Sequence, residues 1–123
     1  MSAIGINGQT IQVGDQITAF GRVTAQSGVG PTAQMTIETQ WSPNTFLCQA
    51  NDCNSNTHTF DASHTAQAFN GGQFYGVGDQ VSVLGTCVAI SGSSLSVVLV
   101  TSQTTVTIPS RVCASAAAFG GTQ

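Results

Sequence analysis

Polar and apolar residues alternate along most of this chain. Ile17, Ala19, Val23 and Ala25 are interleaved with Thr18, Arg22, Thr24 and Gln26, the period of two that marks a strand buried on one face. Ala33, Met35 and Ile37 alternate in the same way with Gln34, Thr36 and Glu38, and a third strand is expected from about Thr45 to Ala50, after a turn around Ser42-Pro43-Asn44. A second set follows: a strand after the Gly78-Asp79 turn, another from Leu95 to Thr101, a tight turn near Gln103, and a third from Thr105 to Ile108 ahead of Pro109. Each set predicts a three-strand meander. Ahead of both, Asn7-Gly8 within Ile4 to Val13 predicts a small hairpin.

The two sets are copies. VGDQITAFGRVTAQSG, starting at Val13, returns 64 residues later as VGDQVSVLGTCVAISG, starting at Val77, with eight of sixteen positions identical. Agreement at one offset marks an internal duplication. Gly21 and Gly85 interrupt the first strands at matching places, where a glycine lets a long strand bend around a small barrel. Asp15 and Asp79, each after a glycine at a strand entrance, read as turn caps. The expected fold class is therefore all-β: a small duplicated barrel, OB-like, of two three-strand meanders joined by a long insertion. One domain is expected, divided into a hairpin or arm (1–12), a first repeat (13–50), an insertion (51–76), a second repeat (77–112) and a tail (113–123). Glycine-bent first strands and an interrupted meander resemble the OB-fold over about residues 13–112, although an OB barrel has five strands and the duplication gives six. The insertion holds both histidines and four of the eight aromatics, Phe60, Phe69, Phe74 and Tyr75, and reads as a functional loop or flap, with Ser63 to Phe69 suited to one or two helical turns.

Charge is scarce. Only 6% of residues are charged, there is no lysine, and Arg22 and Arg111 stand against five acids for a net charge of −3. Surfaces solvated by hydroxyls and amides repel one another weakly and associate readily. Two arginines cannot form a phosphate-tracking stripe, so counterion release, the main source of nucleic-acid affinity, is nearly absent and no nucleic-acid partner is expected. No apolar run reaches a membrane span, and MSAIGINGQTIQ lacks the basic and apolar regions of a secretory signal. No phosphate-cradling loop, nucleophile elbow or paired carboxylate is visible. His58 with Asp61, or His64 with a serine, would act as an acid–base pair only if folding brought them within reach. The expectation is a protein that is not an enzyme and carries no cofactor.

Cys48, Cys53, His58 and His64 form C-x4-C-x4-H-x5-H, just outside the usual zinc spacing. A Cys48–Cys53 disulfide, or free thiols beside exposed histidines, is the plainer reading. Cys87 takes the inward register of Val23 and reads as a small hydrophobe. Cys113 corresponds to Cys53, and a Cys87–Cys113 bridge would pin the tail. Four cysteines allow three pairings.

The outward faces of the copies differ. Where the first has Thr24, Gln26, Gln34 and Thr36, the second has Val88, Ile90, Val98 and Val100. Together with Leu84 these form a candidate interface, since a strand apolar on both faces needs a cover on both. The insertion or the N-terminal hairpin, or else another subunit, would supply it.

In composition and manner, with a start at Met, no signal, and abundant Thr, Ser, Gly and Val, the chain resembles the small virion proteins of tailed bacteriophages, capsid decoration (cement) proteins among them. That resemblance implies a homo-oligomeric structural protein, made in the host cytoplasm and located in the virion. It would bind a major capsid protein or another virion protein at capsomer junctions, through its hairpin, its apolar face and its tail. The alternative is a secreted or surface-exposed ligand-binding β module stabilised by disulfides or zinc, with the 51–76 loop as ligand site.

Overall fold

The computed structural model describes residues 2–41, 44–55, 59–70 and 73–116. The N-terminal hairpin pairs β1 (Ser2–Ile4) with β2 (Thr10–Gln12), joined by a loop in which Asn7 and Gly8 both take positive φ. The first repeat supplies β3 (Gln16–Ser27), β4 (Gln34–Glu38), β5 (Thr45–Gln49) and β6 (Cys53–Asn54). Two short strands, β7 (Ala66–Gln67) and β8 (Phe74–Tyr75), pair within the insertion. The second repeat supplies β9 (Gln80–Ser91), β10 (Ser94–Leu99), β11 (Thr105–Pro109) and β12 (Cys113–Ala116). One sheet runs β11-β10-β9-β3-β4-β5, with β12 added to β3 and β6 to β9. It curls until β5 and β11 come into contact, giving the expected small, nearly closed all-β barrel of two meanders.

The duplication is written into the hydrogen bonds. β3 pairs antiparallel with β9 so that Ala19 faces Val83, its own counterpart, while Ile17 faces Gly85 and Gly21 faces Val81. That register places a pseudo-twofold axis through the Ala19–Val83 pair. Around it the bonds exchange. Gly14 N–H donates to Cys87 O and Gly78 N–H to Val23 O, both at 2.8 Å. The Asp15 carboxylate accepts the Gln12 N–H and the Asp79 carboxylate the Gly76 N–H, both at 3.0 Å, so both aspartates are turn caps. β6 of the first repeat joins β9 of the second, and β12 of the second joins β3 of the first, so each repeat completes the other.

Each long strand carries one β-bulge at the same place. Val23 faces Ile37 and Ala25 faces Thr36, leaving Thr24 over; Cys87 faces Val97 and Ala89 faces Ser96, leaving Val88 over. An extra residue reverses the alternation beyond it. Ala25, expected inside, is therefore exposed, and Ile90, expected outside, packs against the core. The turn after the bulge has six residues (28–33) in the first repeat and two (92–93) in the second, so the offset between copies falls from 64 to 60. Met35 thus corresponds to Leu95 and Ile37 to Val97, and the counterparts of Val98 and Val100 are Glu38 and Gln40.

The core lies inside the barrel and holds Ile11, Ile17, Met35, Ile37, Leu95, Val97, Leu99 and Ile108, all fully buried. Burial of such side chains stabilises by about 1.5–3 kcal/mol each. Two segments depart from expectation. Residues 63–69 form turns and β7 with no helix, because Ala66 and Gln67 pair with β8. Residues 113–116, expected in a tail, form β12, because the second repeat ends in the same 3-10 turn and strand as the first: Ala50–Asp52 then β6, Ser110–Val112 then β12. The remainder, 117–123, lies outside the described residues.

Candidate functional site

The five residues of the candidate interface are dispersed. Leu84 is fully covered by the chain itself, and the turn after β10 docks on it through Val100 N–H to Leu84 O at 3.0 Å. Ile90, Val98 and Val100 are half-buried, and only the bulge residue Val88 is exposed, at 45%. Other large apolar side chains are open to solvent: Ile4, Phe20, Val29, Trp41, Leu47 and Phe60 among them.

The cysteine–histidine set does not assemble. Cys48 and Cys53 approach to 3.5 Å between sulfurs inside the barrel. His64 goes elsewhere: its Nδ1 is 2.8 Å from Asp61 Oδ1 and its Nε2 3.7 Å from Asp79 Oδ2. His58 lies outside the described residues. Among the described residues no three of His, Cys, Asp and Glu converge as metal ligands. The His64 hydrogen bond, aided by the Ser63 N–H, holds the Asp61 carboxyl below the usual carboxylate range. Through its approach to Asp79, His64 ties the insertion to the turn that opens the second repeat. His64 does not line the cleft described next.

All four cysteines are buried free thiols. Cys48 is pushed up by its hydrogen bond with Cys53 and by burial, Cys87 by burial, and Cys113 up to about 12 by burial with Cys87 nearby. Cys113 and Cys87 donate to different carbonyls, Pro109 O and Ala89 O, rather than to each other. The Tyr75 hydroxyl, beside Cys53, donates to Ala50 O at 2.7 Å, and burial raises its pKa far above the ordinary phenol.

A cleft of about 460 Å³ opens on the outer face of the barrel. Its floor is the outer face of the barrel at Phe20 and Arg22 of β3, with Gln80 of β9 facing Arg22 on one side and Glu38 of β4 on the other. Arg22 Nη2 lies 3.4 Å from Glu38 Oε1, both side chains about half exposed, a pair worth at most about 1 kcal/mol. Trp41, on the turn after β4, forms a wall, and the Arg111 guanidinium stacks 4.9 Å over its ring. The two cations of the chain and its one tryptophan therefore meet at a single cleft. The 3-10 turn at Ser110–Val112 brings Arg111 there, because β12 then pairs with β3 from Cys113 opposite Ala19.

Two further depressions adjoin it. Beyond Trp41 and Arg111 lies one of about 250 Å³, bounded by the hairpin loop at Ile4–Gly8. Beyond Phe20 and Gln80 lies one of about 450 Å³, lined by amides and hydroxyls of Asn54, Ser55, Asn70 and Ser82. The cleft shares Phe20 and Gln80 with the second of these, and Ile6, Trp41 and Arg111 with the first.

The pseudo-twofold provides an internal control. At the place related by the pseudo-twofold, Leu84 stands for Phe20, Thr86 for Arg22, Val98 for Glu38, Thr101 for Trp41, and Asn51 and Asp52 for Arg111 and Val112. There the site is shut. Asp52 Oδ1 accepts the N–H groups of Thr101 and Ser102, both at 2.9 Å, and the Thr101 hydroxyl donates to Asn51 O at 2.8 Å. Leu84 is 2% exposed where Phe20 is 44% exposed. The fold itself does not demand a cleft; the side chains at each of the two related places decide whether one opens.

Sequence reading passed over this site, treating Arg22 and Arg111 only as too few for nucleic acid. The available signal was that Arg22, Trp41 and Arg111 each stand where the other repeat has an uncharged polar residue, Thr86, Thr101 and Asn51. Comparison with protein-family models, with curated proteins and with solved structures gives no match.

Proposed function

We propose that this protein is a non-enzymatic assembly module: a structural protein of a virion that stabilises a bacteriophage shell at capsomer junctions, as capsid decoration proteins do. The observation that carries this reading is the outer surface. A chain with 6% charged residues leaves Phe20, Trp41, Val29, Phe60 and Val88 open to water, and exposed apolar surface with little charge repulsion favours association. Velocity sedimentation tests it, with the protein alone and mixed with shells of the virus that encodes it. The expected result is self-association or saturable binding to the shell. A strict monomer that binds no particle overturns the reading.

The approach of Cys48 to Cys53 favours a second reading, a surface-exposed or secreted ligand-binding β module closed by a disulfide. Thiol titration separates the two. On the assembly reading, an aromatic disulfide reagent finds four thiols in denaturant, and in the folded protein reacts slower by about two orders of magnitude or more, since raised pKa values and burial withhold the thiolate. Two missing thiols in denaturant, restored by a reductant, would favour the second reading.

A further inference from the structure

We propose that the groove running past Trp41, Arg111, Arg22 and Phe20 receives an extended peptide segment of a partner protein, one that carries a carboxylate beside an apolar side chain. The proposal goes beyond the assembly reading, since a shell protein can dock through other surfaces.

Charge complementarity carries the argument. In a chain of net charge −3 both cations face this groove. Arg22 contacts Glu38 through one long 3.4 Å approach, which leaves most of its five donors for an incoming acceptor. Arg111 lies over the Trp41 ring, 4.9 Å from its centroid, and a guanidinium held on an aromatic face keeps its fork of donors for a carboxylate. Trp41 and Phe20 offer apolar surface on either side, the aromatic-plus-arginine composition that dominates interface hot spots. The depression beyond Phe20 is lined by neutral amides and hydroxyls, suited to main-chain hydrogen bonds. One carboxylate followed by uncharged peptide fits this sequence of surfaces. A polyanion does not, because Glu38 lines the cleft beside Arg22 and no cation lines the depression beyond Phe20.

The closed counterpart is a second, independent observation. The same backbone at the pseudo-twofold-related place is sealed by Leu84, Thr101 and Asp52, so the open form follows from the residues that line it.

Selection from a displayed library of random heptapeptides tests the proposal, with the intact protein and its Arg22→Gln/Arg111→Gln double variant as baits. Both arginines are exposed, so the variant keeps its fold, which circular dichroism checks. The intact protein is expected to enrich peptides with Asp or Glu next to an apolar residue, and the variant to lose that enrichment. The enriched peptide should then shift the emission of Trp41, the single tryptophan, saturably. Its amide isostere should bind about tenfold more weakly, and Glu38→Gln should tighten binding severalfold by releasing Arg22. Failure to enrich acidic peptides, equal enrichment by the double variant, or tighter binding of an oligothymidylate than of the selected peptide overturns the proposal. Shell binding retained by the double variant would leave the assembly reading standing while placing its contact elsewhere.

Discussion

Asp52→Ala is expected to lower the unfolding free energy by about 3 kcal/mol, with a visible fall in the midpoint of chemical denaturation. Asp52 is fully buried, yet its carboxylate serves three backbone amides: Oδ2 accepts Gln49 N–H at 2.9 Å, and Oδ1 accepts Thr101 N–H and Ser102 N–H. The residue therefore closes its own 3-10 turn and also clamps the turn after β10, nearly fifty residues away. Truncation orphans all three donors at once, and hydrogen bonds to a charged acceptor are worth about 1.5–3 kcal/mol each before water repairs part of the loss. Asp52→Asn retains one acceptor oxygen and is expected to cost about 1–2 kcal/mol. Asp52→Val gives this position the residue that occupies 112 in the other repeat; it should behave like alanine, since no apolar group accepts an N–H. Hydrogen exchange at Thr101 and Ser102 localises the effect. Unchanged exchange there, or a loss below about 1 kcal/mol for the alanine variant, would show that the clamp does not support the barrel.

The meanders were legible because each is a local pattern: a period of two, a glycine at a fixed place, a Gly-Asp turn. The duplication was legible because Val13–Gly28 and Val77–Gly92 differ by one offset throughout. The bulges at Thr24 and Val88 were not, because one extra residue leaves no compositional mark yet reverses every side chain beyond it. That single residue put Ala25 outside and Ile90 against the core. Likewise, the shorter turn at 92–93 changes the offset to 60, so matching at 64 set Val98 and Val100 against Gln34 and Thr36 instead of Glu38 and Gln40. The groove was hidden for a different reason. Arg22 and Arg111 are distant in sequence and meet only because β12 crosses to the other repeat, a pairing no local pattern encodes.

The exchange of β6 and β12 between repeats means that neither repeat buries its core alone. Cys53 and Cys113, both fully buried, each lie in a strand hydrogen-bonded to the other copy. Mutations that loosen one repeat should therefore propagate to the groove, whose wall at Arg111 hangs on the β12–β3 pairing.

The second large effect is expected at the matched glycines. Gly85→Ala should destabilise by about 2–3 kcal/mol and Gly21→Ala by about 1–3 kcal/mol. Neither glycine has positive φ, so on backbone grounds alone an alanine would be favourable by about 0.4–1 kcal/mol, through a less disordered unfolded chain. Packing reverses the sign. A Cβ on Gly85 would stand 2.7 Å from Val98 O and collide with the Val97 side chain; one on Gly21 would stand 2.8 Å from Glu38 O and meet Ile37 Cγ2. The glycines thus let a neighbouring strand come close just before each bulge, a tighter requirement than the bend the sequence suggests. A double variant separates the contributions. Val97→Ala removes the methyl in the way of Gly85→Ala but leaves the carbonyl of Val98, so the pair should recover only part of the loss, with a coupling energy of about 0.5–1.5 kcal/mol in a double-mutant cycle. A neutral or stabilising Gly85→Ala, read by denaturant titration, would mean that the two strands do not approach as closely as the pseudo-twofold barrel requires.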